Sequence, residues 1–169
     1  MKERFYGESE FRDLTQSALQ SERLRLNRNI HDSPSDPCQR LFISMLPRSY
    51  VIPHRHTHPA KSETFVVLRG SVGMIFFDDH GAIRSAIRIG INDGSQVCDI
   101  PPGVWHTAIS FEFGTVFLEV KPGPFDPINE IDVASWAPAY GSSSIDEYLD
   151  FLYAKFDANL ECPKTSKNA

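Results

Sequence analysis

The chain has 169 residues, 41% of them hydrophobic, enough for one well-buried domain with short extensions and too few for two ordinary domains. A net charge of -5, a pI near 5.6 and the lack of any run of lysines and arginines argue against a nucleic-acid surface, so the expected partner is a small molecule. Cys38, Cys98 and Cys162 form no CxxC pair and are odd in number, which suits a reducing cytoplasm. The acidic N-terminus lacks a signal-peptide core, and no stretch approaches the ~18 apolar residues of a membrane span.

Residues 10 to 28 carry Leu14, Ala18, Leu19, Leu24 and Leu26 among polar residues, a weakly amphipathic pattern that predicts a helix lying on the domain. Asn29 to Pro37, with His31 and two prolines, reads as a connector. From Gln39 the period becomes two: Leu41, Ile43 and Met45 share one face of a strand, with Phe42 and Leu46 on the other. Pro47 to Ser49 turns the chain, and residues 50 to 58 predict a strand with His54, His56 and His58 on one face. Pro59 to Ser62 is a bend, and Glu63 opens the next strand with Phe65 and Val67 on its face. Further strands are expected at 72–77, 82–91, 95–100, 105–111 and 115–121, with turns at Asp78–Gly81 and Asn92–Gly94. Eight or nine short strands at roughly ten-residue spacing fit an all-β jelly roll or small barrel. A capping box, Ser144 to Glu147, then predicts a helix at about 144–157, and the tail Glu161 to Ala169 is expected to be disordered.

Three same-face histidines, a carboxylate and a fourth histidine, His106, delivered by the rigid turn Pro101-Pro102-Gly103, predict a metal site. Same-face neighbours on a strand lie about 6.6 Å apart, so His54 and His58 would be about 13 Å apart and cannot share one ion. His56 belongs to either pair. His56 with His58 leaves four residues before Glu63 and the shorter hairpin, which favours His56, His58, Glu63 and His106 as ligands, with His54 as the alternate.

These residues resemble the two motifs of the cupin superfamily. His56, His58, Glu63 and Gly70 fit HxH(x)4E(x)6G, and Pro101, Gly103 and His106 fit PxG(x)2H. Tyr50 stands where the first motif usually has glycine, and Ser110 where the second usually has asparagine. The flanks Val51 to His56, Asp78-Asp79, Trp105 to Thr107 and Leu118 to Pro127 look like the WbuC-type cupin-fold metalloproteins of bacterial O-antigen clusters, over roughly residues 24 to 140. The resemblance implies a jelly-roll barrel over 37–127. A helical arm and connector would fill 1–36, and a C-terminal extension 128–169. It also implies one divalent transition metal per chain (Fe, Mn, Zn, Ni or Co) and an association with O-antigen polysaccharide, but no reaction.

Three imidazoles and a carboxylate would leave such an ion near +1, with two open octahedral positions favouring anionic or bidentate oxygen ligands. Phe65, Val67 and Trp105 are candidate pocket walls. Glu119 and Lys121 alternate with buried-type residues and so either enter the pocket, form a satisfied ion pair or lie on a wet outer face; Arg40, Gln39, Tyr50 and Arg69 are weaker candidates, and Cys98 reads as a small core residue. Two functions are consistent with this pattern: a metal-dependent enzyme acting on a small sugar-derived or carboxylate-bearing metabolite, or a metal-dependent binding or sensing module without turnover. Open strand edges and the helix face of Tyr148, Phe151 and Leu152 predict a homodimer.

Overall fold

A computed structural model describes residues 3–58 and 61–157. Helix α1 (Glu8–Leu19) begins where the Glu10 carboxylate accepts the Gly7 amide at 2.9 Å, with Glu8 and Glu10 at the positive end of the helix dipole. It is shorter than the 10–28 pattern suggested. The chain turns after it, Leu24 takes a left-handed φ of 53°, and Leu26 falls in a strand, β1 (Arg25–Asn29). Leu24 is thus a turn residue and Leu26 a strand residue read into a helical repeat, and the sheet starts inside the segment expected to be arm and connector.

Seven strands follow: β2 (Cys38–Met45), β3 (Glu63–Arg69), β4 (Ser71–Phe77), β5 (Ile83–Gly90), β6 (Val97–Ile100), β7 (Trp105–Ser110) and β8 (Thr115–Pro122). They form two antiparallel sheets, one ordered β1-β2-β8-β3-β6 and the other β5-β4-β7, which is the jelly roll the resemblance implied. Between β3 and β4, Gly70 has a φ of 70°, and a Cβ there would lie 2.6 Å from Thr115 Oγ1, so this tight crossing needs glycine.

Pairing across the larger sheet puts Met45, Phe65, Val67 and Phe117 on its inner face, where they pack with Val72, Met74, Ile89 and Ala108 from the smaller sheet. The outer face of the larger sheet is covered by α1: Leu14, Thr15 and Ala18 are buried, Thr15 Oγ1 lies 3.0 Å from Ser44 Oγ, and Phe42 meets Tyr6 and Phe11 edge-on. The outer face of the smaller sheet is covered by α2 (Ile145–Asp157), whose Leu149 and Leu152 pack with Ile75, Phe77 and Ile109. At the start of α2 the Ser144 hydroxyl pairs with Ser142 Oγ at 2.8 Å, a partner the expected capping box does not include. Of the residues expected at a dimer face, Leu152 is buried on its own barrel, Tyr148 meets Tyr50 edge-on, and Phe151 remains 45% exposed. No helix is long and apolar enough to cross a membrane among the described residues, and Cys38 and Cys98 are free thiols. The tail Glu161 to Ala169, Cys162 and Pro59-Ala60 lie outside the described residues.

The expected histidine strand is not formed. Residues 50–58 run beside β7 and touch it through one bridge, His54 with His106, while on the other side His54 bridges Val133. Pro53, which has no N–H to donate, sits immediately before that bridge and limits the ladder.

Truncating Leu152 to alanine should lower the unfolding free energy by about 2–5 kcal/mol, whereas Phe151→Ala should stay within about 0.5 kcal/mol, as expected of an exposed position. Urea denaturation of both variants checks this; equal losses would mean that α2 does not pack as described.

Candidate metal centre

Reciprocal backbone hydrogen bonds pin the histidine segment to β7: the His54 N–H donates to His106 O at 3.0 Å and the His106 N–H to His54 O at 2.9 Å. Two residues on, the Gly103 N–H donates to His56 O at 2.7 Å, from the Pro-Pro-Gly turn in which Gly103 has a φ of 81°. These contacts bring ligand atoms of His54, Glu63 and His106 within 4.8 Å of one another at the end of a cavity of about 140 Å³. His56 Nε2 lies 3.1 Å from Glu63 Oε1, and His106 Nε2 lies 3.0 Å from Glu63 Oε2. His58 is exposed and borders a surface groove that it shares with His56, Thr57 and Asn129. The structure therefore clusters His54, Glu63 and His106, with His56 against the Glu63 carboxylate, while His58 is exposed. An irregular segment reaches Glu63 through a longer connection than the hairpin that spacing favoured.

The tautomers fit metal ligation. His54 and His106 each place Nδ1 at 3.0 and 2.9 Å from the carbonyls of Ile52 and Val104, two residues back, so Nδ1 carries the proton and Nε2 is left as a bare lone pair. The Nε2 atoms of His56 and His106 and Glu63 Oε2 are buried without a hydrogen-bond partner, although they stand 3.0 to 3.1 Å from the opposing acceptor or donor. Distance alone would make these ion pairs. No imidazole N–H is aligned with the carboxylate, whose Oε1 accepts from Lys121 at 3.0 Å; unpartnered histidine nitrogens facing a carboxylate oxygen are an arrangement suited to the donors of a cation. Burial, with His106 nearby, lowers the His54 pKa to about 3, so its imidazole is neutral and able to ligate. Burial pushes Glu63 up, but His106 and His56, where an Nε2 proton takes the place of an ion, and the Lys121 ammonium outweigh this and hold it well below the usual carboxylate range.

Phe65, Glu119 and Lys121 line the same cavity, together with Phe117 and Arg25. Glu119 and Lys121 are ion-paired there, with Lys121 Nζ 2.6 Å from Glu119 Oε1 and 3.0 Å from Glu63 Oε1. Burial alone would discharge Lys121; its two carboxylates raise its pKa instead. Burial raises the Glu119 pKa.

Four other candidates lie elsewhere. Arg40 is exposed on the outer face of β2, since Gln39 and Leu41 take the inward parity. Tyr50 is buried on the α2 side, donating its hydroxyl to Pro138 O at 2.7 Å. Arg69 pairs with Glu8 at 3.1 Å. Trp105 faces away from the cavity: its indole N–H donates to Asp79 at 3.1 Å, and the Arg55 guanidinium lies 4.4 Å from its ring centre.

Two contributors had no sequence signal. Arg25 was concealed in the presumed helix. Asp132, at the end of a short 3-10 helix (Glu130–Asp132), is buried and clamps the histidine segment: its carboxylate accepts the Thr57 hydroxyl at 3.0 Å and Arg55 Nε at 3.4 Å, and its carbonyl accepts the Arg55 N–H at 2.9 Å. Arg55 is thereby fixed between Asp132, Asp79 and Trp105, and His54 and His56 on either side of it are held in place.

A family model described as a domain of unknown function, DUF6016, matches residues 7–89, somewhat less than half of the chain; the match includes His54, His56 and Glu63 but not His106. No curated protein matches. Similar solved structures include KdgF from Halomonas sp., at 13% identity over 59% of this chain and 81% of the other, with a TM-score of 0.47. A cupin-2 domain protein from Shewanella frigidimarina gives 19% identity over 67% and 92%, with a TM-score of 0.46. A mutant of oxalate decarboxylase OxdC from Bacillus subtilis gives 20% identity over 65% of this chain and 27% of that one, with a TM-score of 0.47. None of the three carries weight for the chemistry, and the jelly-roll assignment rests on the strand order itself.

Metal analysis of purified variants separates the two histidine pairs. His54→Ala and His106→Ala should lose the metal while His58→Ala keeps it; retention in His54→Ala with loss in His58→Ala would reverse the assignment. Asp132→Asn should weaken metal affinity about 10- to 100-fold, as removal of an outer support does, measured by chelator competition.

Proposed function

We propose that the protein is a metal-dependent enzyme acting on a small sugar-derived or carboxylate-bearing molecule. The observation that carries this reading is the convergence of bare histidine lone pairs and the Glu63 carboxylate, all buried, at the end of the cavity that also holds Glu119 and Lys121. His54, His56, Glu63 and His106 would hold one divalent ion, and imidazole with carboxylate suits Fe, Mn, Co, Ni or Zn. Bound there, such an ion draws electron density from a ligand oxygen.

The chain's own groups supply the rest. Phe65, Phe117 and Met45 keep one wall of the cavity apolar and limit water beside the polar wall. Lys121 is a fixed cation that orients Glu63 through Oε1 and balances Glu119. Glu119, whose affinity for a proton is raised by burial, can take a proton from a bound ligand or return one, at a point next to the ion site but outside its ligand set. A pure binding module needs no such buried acid, which favours turnover. The association with O-antigen polysaccharide rests on the resemblance alone.

Sugar acids and 2-oxo acids offered to the metal-loaded protein, with products followed by mass spectrometry, should reveal conversion that stops when the metal is chelated. Glu119→Gln should retain the metal and lower kcat about 10²- to 10⁴-fold, the usual scale of a lost acid–base group. An unchanged rate in a metal-replete Glu119→Gln protein would remove Glu119 from the chemistry, and metal-dependent ligand binding without any product would establish the binding module instead.

A further inference from the structure

The larger sheet has five strands and the smaller one three, so the inner face of β1 and of the first half of β2 has no sheet opposite it. The chain places polar residues on that uncovered face. Register pairs Asn27 with Ile43, Asn29 with Leu41 and Gln39 with Lys121, so the inward positions change from apolar at Ile43 and Met45 to amide at Asn27, Asn29 and Gln39. There they form a cleft of about 480 Å³, within the ~300–1,000 Å³ range of small-molecule sites. Lys121 lines both this cleft and the metal cavity, making them adjacent.

The polar groups of the cleft are held in place while part of their hydrogen-bonding capacity stays unused. Gln39 is buried, and its Nε2 donates to the carbonyls of Pro34 at 3.2 Å and Asp36 at 2.9 Å, which leaves Oε1 as an acceptor. His31, 8% exposed, has its Nδ1 between the Arg40 carbonyl at 2.9 Å and the Arg40 N–H at 3.0 Å, so Nε2 is left to a ligand, as acceptor in one tautomer and donor in the other. Asn27 Nδ2 donates to Asn29 Oδ1 at 3.0 Å, leaving Asn27 Oδ1 as acceptor and Asn29 Nδ2 as donor. Arg23 has no ion pair among the described residues, and no carboxylate lines the cleft, whereas the charge of Lys121 is already met by Glu63 and Glu119. Phe125 and Leu41 supply an apolar wall and floor.

Amide donors and acceptors on one side, an aromatic ring on another and one uncompensated guanidinium fit a hydroxyl-rich chain or ring bearing an anionic group. We infer that this cleft binds the body of a polyhydroxylated phosphate or carboxylate: the anion pairs with Arg23, the hydroxyls bond the Asn27, Asn29, Gln39 and His31 groups, and the opposite end passes Lys121 to reach the metal centre. This inference rests on the enzyme reading only for what happens at that opposite end.

Isothermal titration of the full chain with 6-phosphogluconate and with sorbitol 6-phosphate, metal-loaded and metal-free, tests it, with metal content measured on every sample. Both probes should bind, sorbitol should bind at least tenfold more weakly than its phosphate, and Arg23→Ala should lose at least tenfold for both probes at unchanged metal content. Asn29→Asp, an exposed change that puts a carboxylate into the cleft, should weaken both probes similarly. Binding that is equal in wild type and both variants, or absent from wild type at millimolar concentration, overturns the inference. If the chain retains no metal yet binds sorbitol 6-phosphate through Arg23, the cleft stands and the metal reading fails.

Discussion

The site depends on two backbone hydrogen bonds, exchanged between His54 and His106. They tie an otherwise irregular segment to a strand of the smaller sheet, and they do so at the two residues whose imidazoles are needed on either side of the Glu63 carboxylate. A side-chain donor set could be held by loops, but loops leave rotamers unspecified. Here each ring is fixed twice, once through its own backbone in the bridge and once through Nδ1 on a carbonyl two residues back. Glu63 comes from the other sheet, so the donor set joins the two layers across the interior.

Around this point the barrel separates two kinds of lining. The deep end is closed by Phe65, Phe117, Met45 and Ala108 and keeps the charges close to one another in a poorly screened space. The shallow end is open because the sheets are unequal, and amides replace the branched apolar residues there. Lys121 stands at the boundary, and the ion pairs it makes with Glu63 and Glu119 are the polar link between the two ends.

The β-rich architecture was legible in the sequence because strand alternation from Gln39 onward is regular and Gly and Pro punctuate it. Glu63 and His106 were legible for the same reason, one at a strand start and one after a Pro-Gly turn. What could not be read was the course of residues 50–58. Alternate histidines imply one face only if the backbone is extended throughout, and here pairing is confined to His54. Preference for a short hairpin then selected His58, whereas the longer loop places His54 beside Glu63. Arg25 and Asp132 were illegible for different reasons: one lay in a leucine pattern that serves a helix or a strand equally well, and the other acts through tertiary contacts with residues some 75 positions away.

Strand β8 has a consequence for how the protein is made. It lies between β2 and β3, paired with both, and its residues 115–122 meet residues 38–45 across nearly half of the chain. Loop closure over that separation is entropically costly and slow compared with the local hairpin of β4 and β5, which can form as soon as both strands exist. During synthesis β2 and β3 therefore wait with their facing edges unpaired until β8 arrives, and the carboxylate of Glu63 has no Lys121 to neutralise it until then. The interval between emergence of β3 and docking of β8 is when the nascent chain is most exposed to edge-to-edge association, and closing the larger sheet ends that exposure in the same step that completes the interior charge pairing.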